Sequence, residues 1–186
     1  PMSIGVPGNN PYVITPGAMS DALTPADPSD DYLATWSSAG PTLEAFVKPD
    51  LVAPGGHTLG LMPASATIAQ AHPEFQLDGN YFTMSGTSQA AGVTSGVVAL
   101  MLQDDPTLTP DEVKCKLMDS AHAAVDGNDL AYSPFQQGAG LIDAQRAVDS
   151  TATGCANQGL NIANDVNDTE HYMGPVRFDG TNEDFY

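Results

Sequence analysis

Between Gln89 and Gln103, the residues Ala90, Ala91, Val93, Val97, Val98, Ala99, Leu100, Met101 and Leu102 cover nearly the whole circumference of a helix. A helix that is apolar all round is a buried one, so it belongs at the centre of a layered fold. Directly before it stands Met84-Ser85-Gly86-Thr87-Ser88, a turn of small residues that sets Ser88 at the helix entrance. The first amides of a helix lack intrahelical acceptors and carry the positive end of its dipole. A hydroxyl there either caps the helix or acts as a nucleophile whose oxyanion those amides stabilise. Spacing alone leaves both roles open.

The surrounding pattern predicts short buried strands between helices, which is the α/β class. Gly5-Val6-Pro7-Gly8-Asn9-Asn10-Pro11 is a turn feeding a strand at Tyr12-Val13-Ile14-Thr15. Further strands are expected at Leu33 to Ser38 and at Leu51-Val52-Ala53, with turns at Ser37 to Pro41 and Pro54-Gly55-Gly56. Thr109-Pro110-Asp111-Glu112 has the capping-box pattern, with Val113, Leu117 and Ala121 repeating at helical spacing behind it. A last helix is expected around Ala144 to Val148, capped by Asp143. The acidic, Pro-rich stretch Asp21 to Asp31 reads as an exposed loop. The compact domain is expected to span residues 1–150, followed by an acidic extended arm at 151–186 on which Tyr172, Val176, Phe178, Phe185 and Tyr186 offer docking side chains. A first strand emerging from so tightly specified a loop also predicts sequence upstream of Pro1.

Charge excludes several functions. With 23 acidic against 5 basic residues and a net charge of −18, no basic patch exists to meet phosphates, so neither nucleic acid nor an anionic membrane is an expected partner. Such acidity serves solubility, salt adaptation or oxygen-ligand cations such as calcium. The longest apolar run, Val97 to Leu102, is far short of the roughly 20 residues that span a bilayer. Cys115 and Cys155 lack zinc-type spacing and form either one disulfide or two buried thiols. The Asn167-Asp168-Thr169 sequon is consistent with secretion.

Gly86-Thr87-Ser88-Gln89-Ala90-Ala91 resembles the Gly-Thr-Ser-Met-Ala nucleophile motif of the subtilisin-like serine proteases, the S8 peptidase family. Four other segments resemble that family in the same order: Val6 to Ala18, Trp36 to Pro41, Lys48 to Gly55, and Gly138-Ala139-Gly140-Leu141-Ile142-Asp143-Ala144. The resemblance implies the C-terminal part of a three-layer fold with a mostly parallel sheet and a buried helix after the nucleophile.

It further implies that Ser88 is the nucleophile of a secreted endopeptidase and that the Ser88 amide contributes to the oxyanion hole. Gly5, Val6, Pro7 and Gly8, with Gly86 and Thr87, would contact substrate, and Val6-Pro7 would be a cis peptide. The family's Asp-Thr/Ser-Gly and His-Gly-Thr motifs are absent here, and its oxyanion Asn lies before the region where this chain begins. An N-terminal fragment of the same protease is therefore the expected partner, along with a protein or peptide substrate, and large apolar surface should be exposed without that fragment. The chemistry implies no cofactor, while calcium is a structural expectation without legible ligands.

Gly92 replaces the family's Pro, which loosens the helix start. His57, His72, His122 and His171 read as loop or surface residues. Two alternatives stand beside this reading. One is an inactive protease-like scaffold. The other is a separate hydrolase using Ser88, Asp119 and His122 or His171, although Ala90 occupies the last position of the Gly-x-Ser-x-Gly elbow that such a fold prefers.

Overall fold

The computed structural model describes residues 2–24, 26–128, 130–170, 178–179, 181 and 184–185. In chain order its elements are β1 (Pro16–Ser20), β2 (Tyr32–Leu33), β3 (Leu51–Gly56), β4 (Thr58–Leu61), α1 (Thr67–Ala71), β5 (Tyr81–Met84), α2 (Thr87–Asp104), α3 (Pro110–Ser120), α4 (Pro134–Gln137), α5 (Ala144–Asp149), α6 (Ile162–Val166), β6 (Phe178–Asp179) and β7 (Asp184–Phe185).

The central sheet has the order β2-β1-β3. β1 and β3 run parallel, with Gly17 opposite Val52 and Ala18 opposite Ala53, while β2 pairs antiparallel through Met19 and Leu33. Residues 139–142 extend the sheet beyond β3: the Val52 amide donates to Gly140 O and the Ile142 amide to Val52 O, each at 2.9 Å. Strand alternation then divides the core into two layers. Ala18, Leu51 and Ala53 face Ala90, Val97 and Met101 of α2, with Val113 and Leu117 of α3 and Ala147 of α5 behind them. Met19 and Val52 face the other way, onto Ala124, Tyr132 and Leu141. This is the expected α/β architecture, with helices on one side of a largely parallel sheet.

Several elements depart from the sequence reading. Tyr12-Val13-Ile14-Thr15 is not a strand, and β1 begins only at Pro16. The backbone of that segment is claimed by side chains: the Thr15 amide donates to Asp50 Oδ2 at 2.7 Å, and Lys48 Nζ and Lys114 Nζ donate to Val13 O at 2.9 and 3.3 Å. The strand expected at Leu33 to Ser38 shrinks to Tyr32–Leu33, because the Ser37 amide turns back to Ala34 O. Conversely, β3 runs on through Pro54, Gly55 and Gly56, which read as a turn. Pro54 pairs with Met19 and Gly56 with Ser20, across a register shift.

The helices follow the sequence closely. Thr109 and Glu112 close a reciprocal capping box at the start of α3, and Asp143 accepts from the Arg146 amide at the start of α5. The helix α2 is buried along one face only, at Ala90, Thr94, Val97 and Met101. Leu100, 51% exposed, and Leu102 flank that stripe on opposite sides and reach solvent. The apolar circumference read from the sequence is thus met by this chain only where α2 faces the sheet, α3 and α5. The antiparallel β4–β5 pair exposes Leu59, Leu61 and Tyr81.

Cys115 and Cys155 form a disulfide with Cα atoms 5.1 Å apart. The segment after Ser150, read as an extended arm, is thereby tied to α3, and it carries α6. Among the docking side chains expected there, Tyr172, Val176 and Tyr186 lie outside the described residues. Phe178 and Phe185 are described only as a backbone pair in β6 and β7.

Candidate active site

Ser88 stands in the first turn of α2, two residues past an N-cap that is Gly86 and not Ser88 itself. The capping role left open by the sequence therefore falls to a residue with no side chain. The Gln89 and Ala90 amides turn back to Gly86 O at 3.0 and 3.3 Å. Among the described residues the amides of Thr87 and Ser88 have no acceptor, so they are free to meet an oxyanion beside the exposed Ser88 hydroxyl.

The turn is fixed by close backbone packing. The Gly86 amide donates to Gly55 O at 2.8 Å, which anchors the Ser88 turn to β3. A Cβ on Gly55 would lie 2.7 Å from Ala18 Cβ and 2.9 Å from Gly86 O, so glycine is what lets β1, β3 and α2 approach this closely. On the far side, the Ser85 hydroxyl accepts from the His57 amide at 2.9 Å, and Thr58 Oγ1 donates to Met84 O at 3.0 Å. Beside the turn lies an open depression of about 430 Å³, lined by Phe75, Phe82, Met84, His57 and His72 among others. Phe75 and Phe82 meet edge to face, with centroids 6.3 Å apart.

The structure places Gly86 and Thr87 directly before Ser88. Gly5, Val6, Pro7 and Gly8 form a separate exposed turn, closed by bonds from the Asn9 amide to Gly5 O and from the Asn10 amide to Pro7 O, each at 3.1 Å. The Val6-Pro7 peptide is cis, as the resemblance implied. Among the described residues no hydrogen bond joins this turn to the Ser88 turn.

No histidine of the described residues hydrogen-bonds Ser88. His57 Nδ1 lies 3.4 Å from Ser20 Oγ, and His72 Nδ1 is 3.2 Å from Glu74 Oε1. The backbone of His122 pairs with Leu141. Asp119 accepts from Ser150 Oγ at 3.0 Å, so the alternative grouping of Ser88, Asp119 and His122 is not linked by hydrogen bonds. His171 lies outside the described residues. Among them no group of three or more His, Cys, Asp or Glu side chains comes together in a metal-binding cluster.

Sequence reasoning missed a buried ion cluster. Asp50 bridges two lysines, with Oδ2 at 2.7 Å from Lys48 Nζ and Oδ1 at 2.9 Å from Lys114 Nζ. All three side chains are about 95% or more buried, which takes two of the chain's 5 basic residues out of solvent. Each ammonium has three oxygen acceptors: Val13 O, Thr15 Oγ1 and Asp50 for Lys48, and Pro11 O, Val13 O and Asp50 for Lys114. Burial pushes the Lys48 ammonium down to about 8, with Lys114 adding to the push, against the opposing pull of Asp50.

The sequence model of the subtilase family matches residues 2–140, and the chain belongs to that family. It is 39% identical over 146 residues to the serine protease AprX of Bacillus subtilis, covering 78% of this chain and 32% of that protein. It is 34% identical over 152 residues to a Streptococcus pyogenes C5a peptidase, covering 77% of this chain and 12% of that protein. The chain thus spans a third or less of these relatives. In structure it matches fervidolysin of Fervidobacterium pennivorans, a keratinolytic enzyme related to subtilisin, at a TM-score of 0.57 and 26% identity, covering 78% of this chain and 20% of that one. The prenylagaramide maturation protease PagA matches at a TM-score of 0.54 and 26% identity, covering 77% of this chain and 44% of that one.

Proposed function

We propose that this chain is the nucleophile-bearing part of a subtilisin-like serine endopeptidase, with Ser88 attacking the scissile carbonyl. The observation that carries this reading is the exposed Ser88 hydroxyl in the first turn of a long helix, beside unclaimed amides and behind a glycine cap. A histidine of an N-terminal half takes the Ser88 proton as the Oγ–carbon bond forms. The tetrahedral oxyanion rests on the Ser88 amide and on an Asn of that same half. Collapse breaks the peptide C–N bond, and the histidinium gives its proton to the departing amine. Water, deprotonated by the same histidine, then releases the acyl group and regenerates Ser88. An Asp of the N-terminal half orients the histidine throughout.

Gly86, Thr87 and the turn Gly5, Val6, Pro7 and Gly8 serve substrate binding in this reading. The N-terminal half covers exposed apolar side chains such as Leu100 and Leu102 on the two flanks of α2, which agrees with their exposure. Secretion belongs to the same reading and is supported by the Cys115–Cys155 disulfide. No cofactor enters the chemistry, and no calcium ligands are assigned. The test is Ser88→Ala in the full-length protein. Peptide hydrolysis should fall by roughly 10⁴-fold or more with the fold unchanged. Unchanged hydrolysis would remove Ser88 from the mechanism, and an inactive starting protein would favour the scaffold.

A further inference from the structure

The segment after Ser150 lies beyond the family match, yet it is fastened to the same loop that carries Val6 and Pro7. Its first anchor is the disulfide from Cys155 to Cys115 on α3. A second is Asn157, whose Nδ2 donates to Asp111 Oδ1 at 2.6 Å, also on α3. From there the chain crosses to α6, where Asp165 Oδ2 accepts the Tyr12 hydroxyl at 2.9 Å. The two residues in this last contact are 153 apart in sequence.

Helix α3 reaches the same loop directly. Lys114, the neighbour of Cys115, donates from Nζ to Pro11 O at 2.7 Å. The loop is thus held at adjacent residues by adjacent anchors: Pro11 by Lys114, and Tyr12 by the strap that Cys115 secures. Immediately before them, the Asn9 and Asn10 amides close the turn on Gly5 O and Pro7 O, and Thr15 Oγ1 donates to Gly8 O at 2.8 Å. A cleft of about 350 Å³ has Val6 and Pro7 on one wall and Asp165 on another.

We propose that the 155–166 strap is part of the substrate-binding apparatus, with Asp165 a positioning residue that acts through Tyr12 to hold the Gly5–Asn10 turn in place. The proposal rests on the reading of that turn as a pocket wall. It adds to the protease fold a specificity element supplied by residues outside the family match, tied on by a disulfide. Asp165 acts through its bond to the Tyr12 hydroxyl. Its effect is on where Val6 and Pro7 stand.

The test uses Tyr12→Phe, Asp165→Ala and Asp165→Asn in the full-length protein, with two readouts. Hydrogen exchange follows the Asn9 and Asn10 amides. In Tyr12→Phe and Asp165→Ala these should exchange roughly threefold to tenfold faster, the effect expected when a loop loses one charge-assisted bond. Asp165→Asn keeps an oxygen acceptor without the charge and should exchange more slowly than Asp165→Ala, close to the original rate. Peptide kinetics should show KM rising by a similar factor with kcat retained, and the Tyr12→Phe, Asp165→Ala double variant should be no worse than either single one. Unchanged exchange in the turn overturns the proposal. So does altered exchange with unchanged KM, which would make the strap a stabilising tie only. A full-length protein without protease activity would sink the catalytic reading, while exchange would still decide whether the strap holds the turn.

Discussion

The amide of Gly86 donates to the carbonyl of Gly55 at 2.8 Å, joining the turn before Ser88 to the central parallel strand pair. Both partners are glycines, and a Cβ on Gly55 would meet Ala18 of β1 and Ala90 of α2. At this point the candidate active site rests on direct backbone contact between strand and turn.

Gly55→Ala should disturb that contact directly. Its Cβ would meet Ala18 Cβ, Gly86 O and Ala90 Cβ at 2.7, 2.9 and 3.2 Å, and strand or helix must shift. Denaturant unfolding should show a loss of about 1–3 kcal/mol. Gly60→Ala, with nothing within 4 Å of the new methyl, should stay within about 0.5 kcal/mol. Equal effects from the two would contradict the packing account.

Asp50→Asn strips the charge that two buried ammoniums share. Leaving them uncompensated should cost about 3–5 kcal/mol. The alkaline limb carries a second signature. Burial lowers the folded Lys48 to about 8, whereas an unfolded lysine titrates near its usual 10.5. Between those values the unfolded chain binds more protons, so the stability contribution from this group rises with pH across that window. Lys48→Met should abolish the rise in a pH series of unfolding curves.

The start of α3 gives a test on the acid side. Thr109→Ala removes the N-cap acceptor and should cost about 1 kcal/mol. The Glu112 carboxylate is held below its usual 4.5 by the Thr109 amide and then by the Thr109 hydroxyl. Its contribution is present above that value and is lost as pH falls through the lower folded value. Glu112→Gln should keep the box and lose this pH dependence, as read by helix content against pH.

Reducing the disulfide should lower stability by about 3–4 kcal/mol, as expected for a cross-link closing a loop of this length, 40 residues. The Cys115→Ala, Cys155→Ala variant should match the reduced protein in thermal unfolding. No shift on reduction would mean that the strap is held by its other contacts.

Where local physics decides the structure, the sequence was readable. The α3 capping box, the Asp143 cap and the α2 turn all follow from residues within one helical turn of each other. The Tyr12 to Thr15 segment was not readable, because β-branched composition suggests a strand while Asp50, Lys48 and Lys114 take its backbone from 35 to 101 residues away. The extension of β3 through Pro54-Gly55-Gly56 was hidden for a related reason. Those residues look like a turn in isolation, and only close packing against Ala18 and Ala90 makes small size the requirement. At the site, the serine and its turn were legible as a motif. The Tyr12–Asp165 tie has no local signal and emerges only from the fold.

The most direct measurement is labelling of the full-length protein with a fluorophosphonate probe, followed by mass spectrometry of the peptide containing Ser88. The account predicts a covalent adduct on Ser88 Oγ, lost in Ser88→Ala. Folded, inhibitor-free protein that carries no adduct at Ser88 would contradict it.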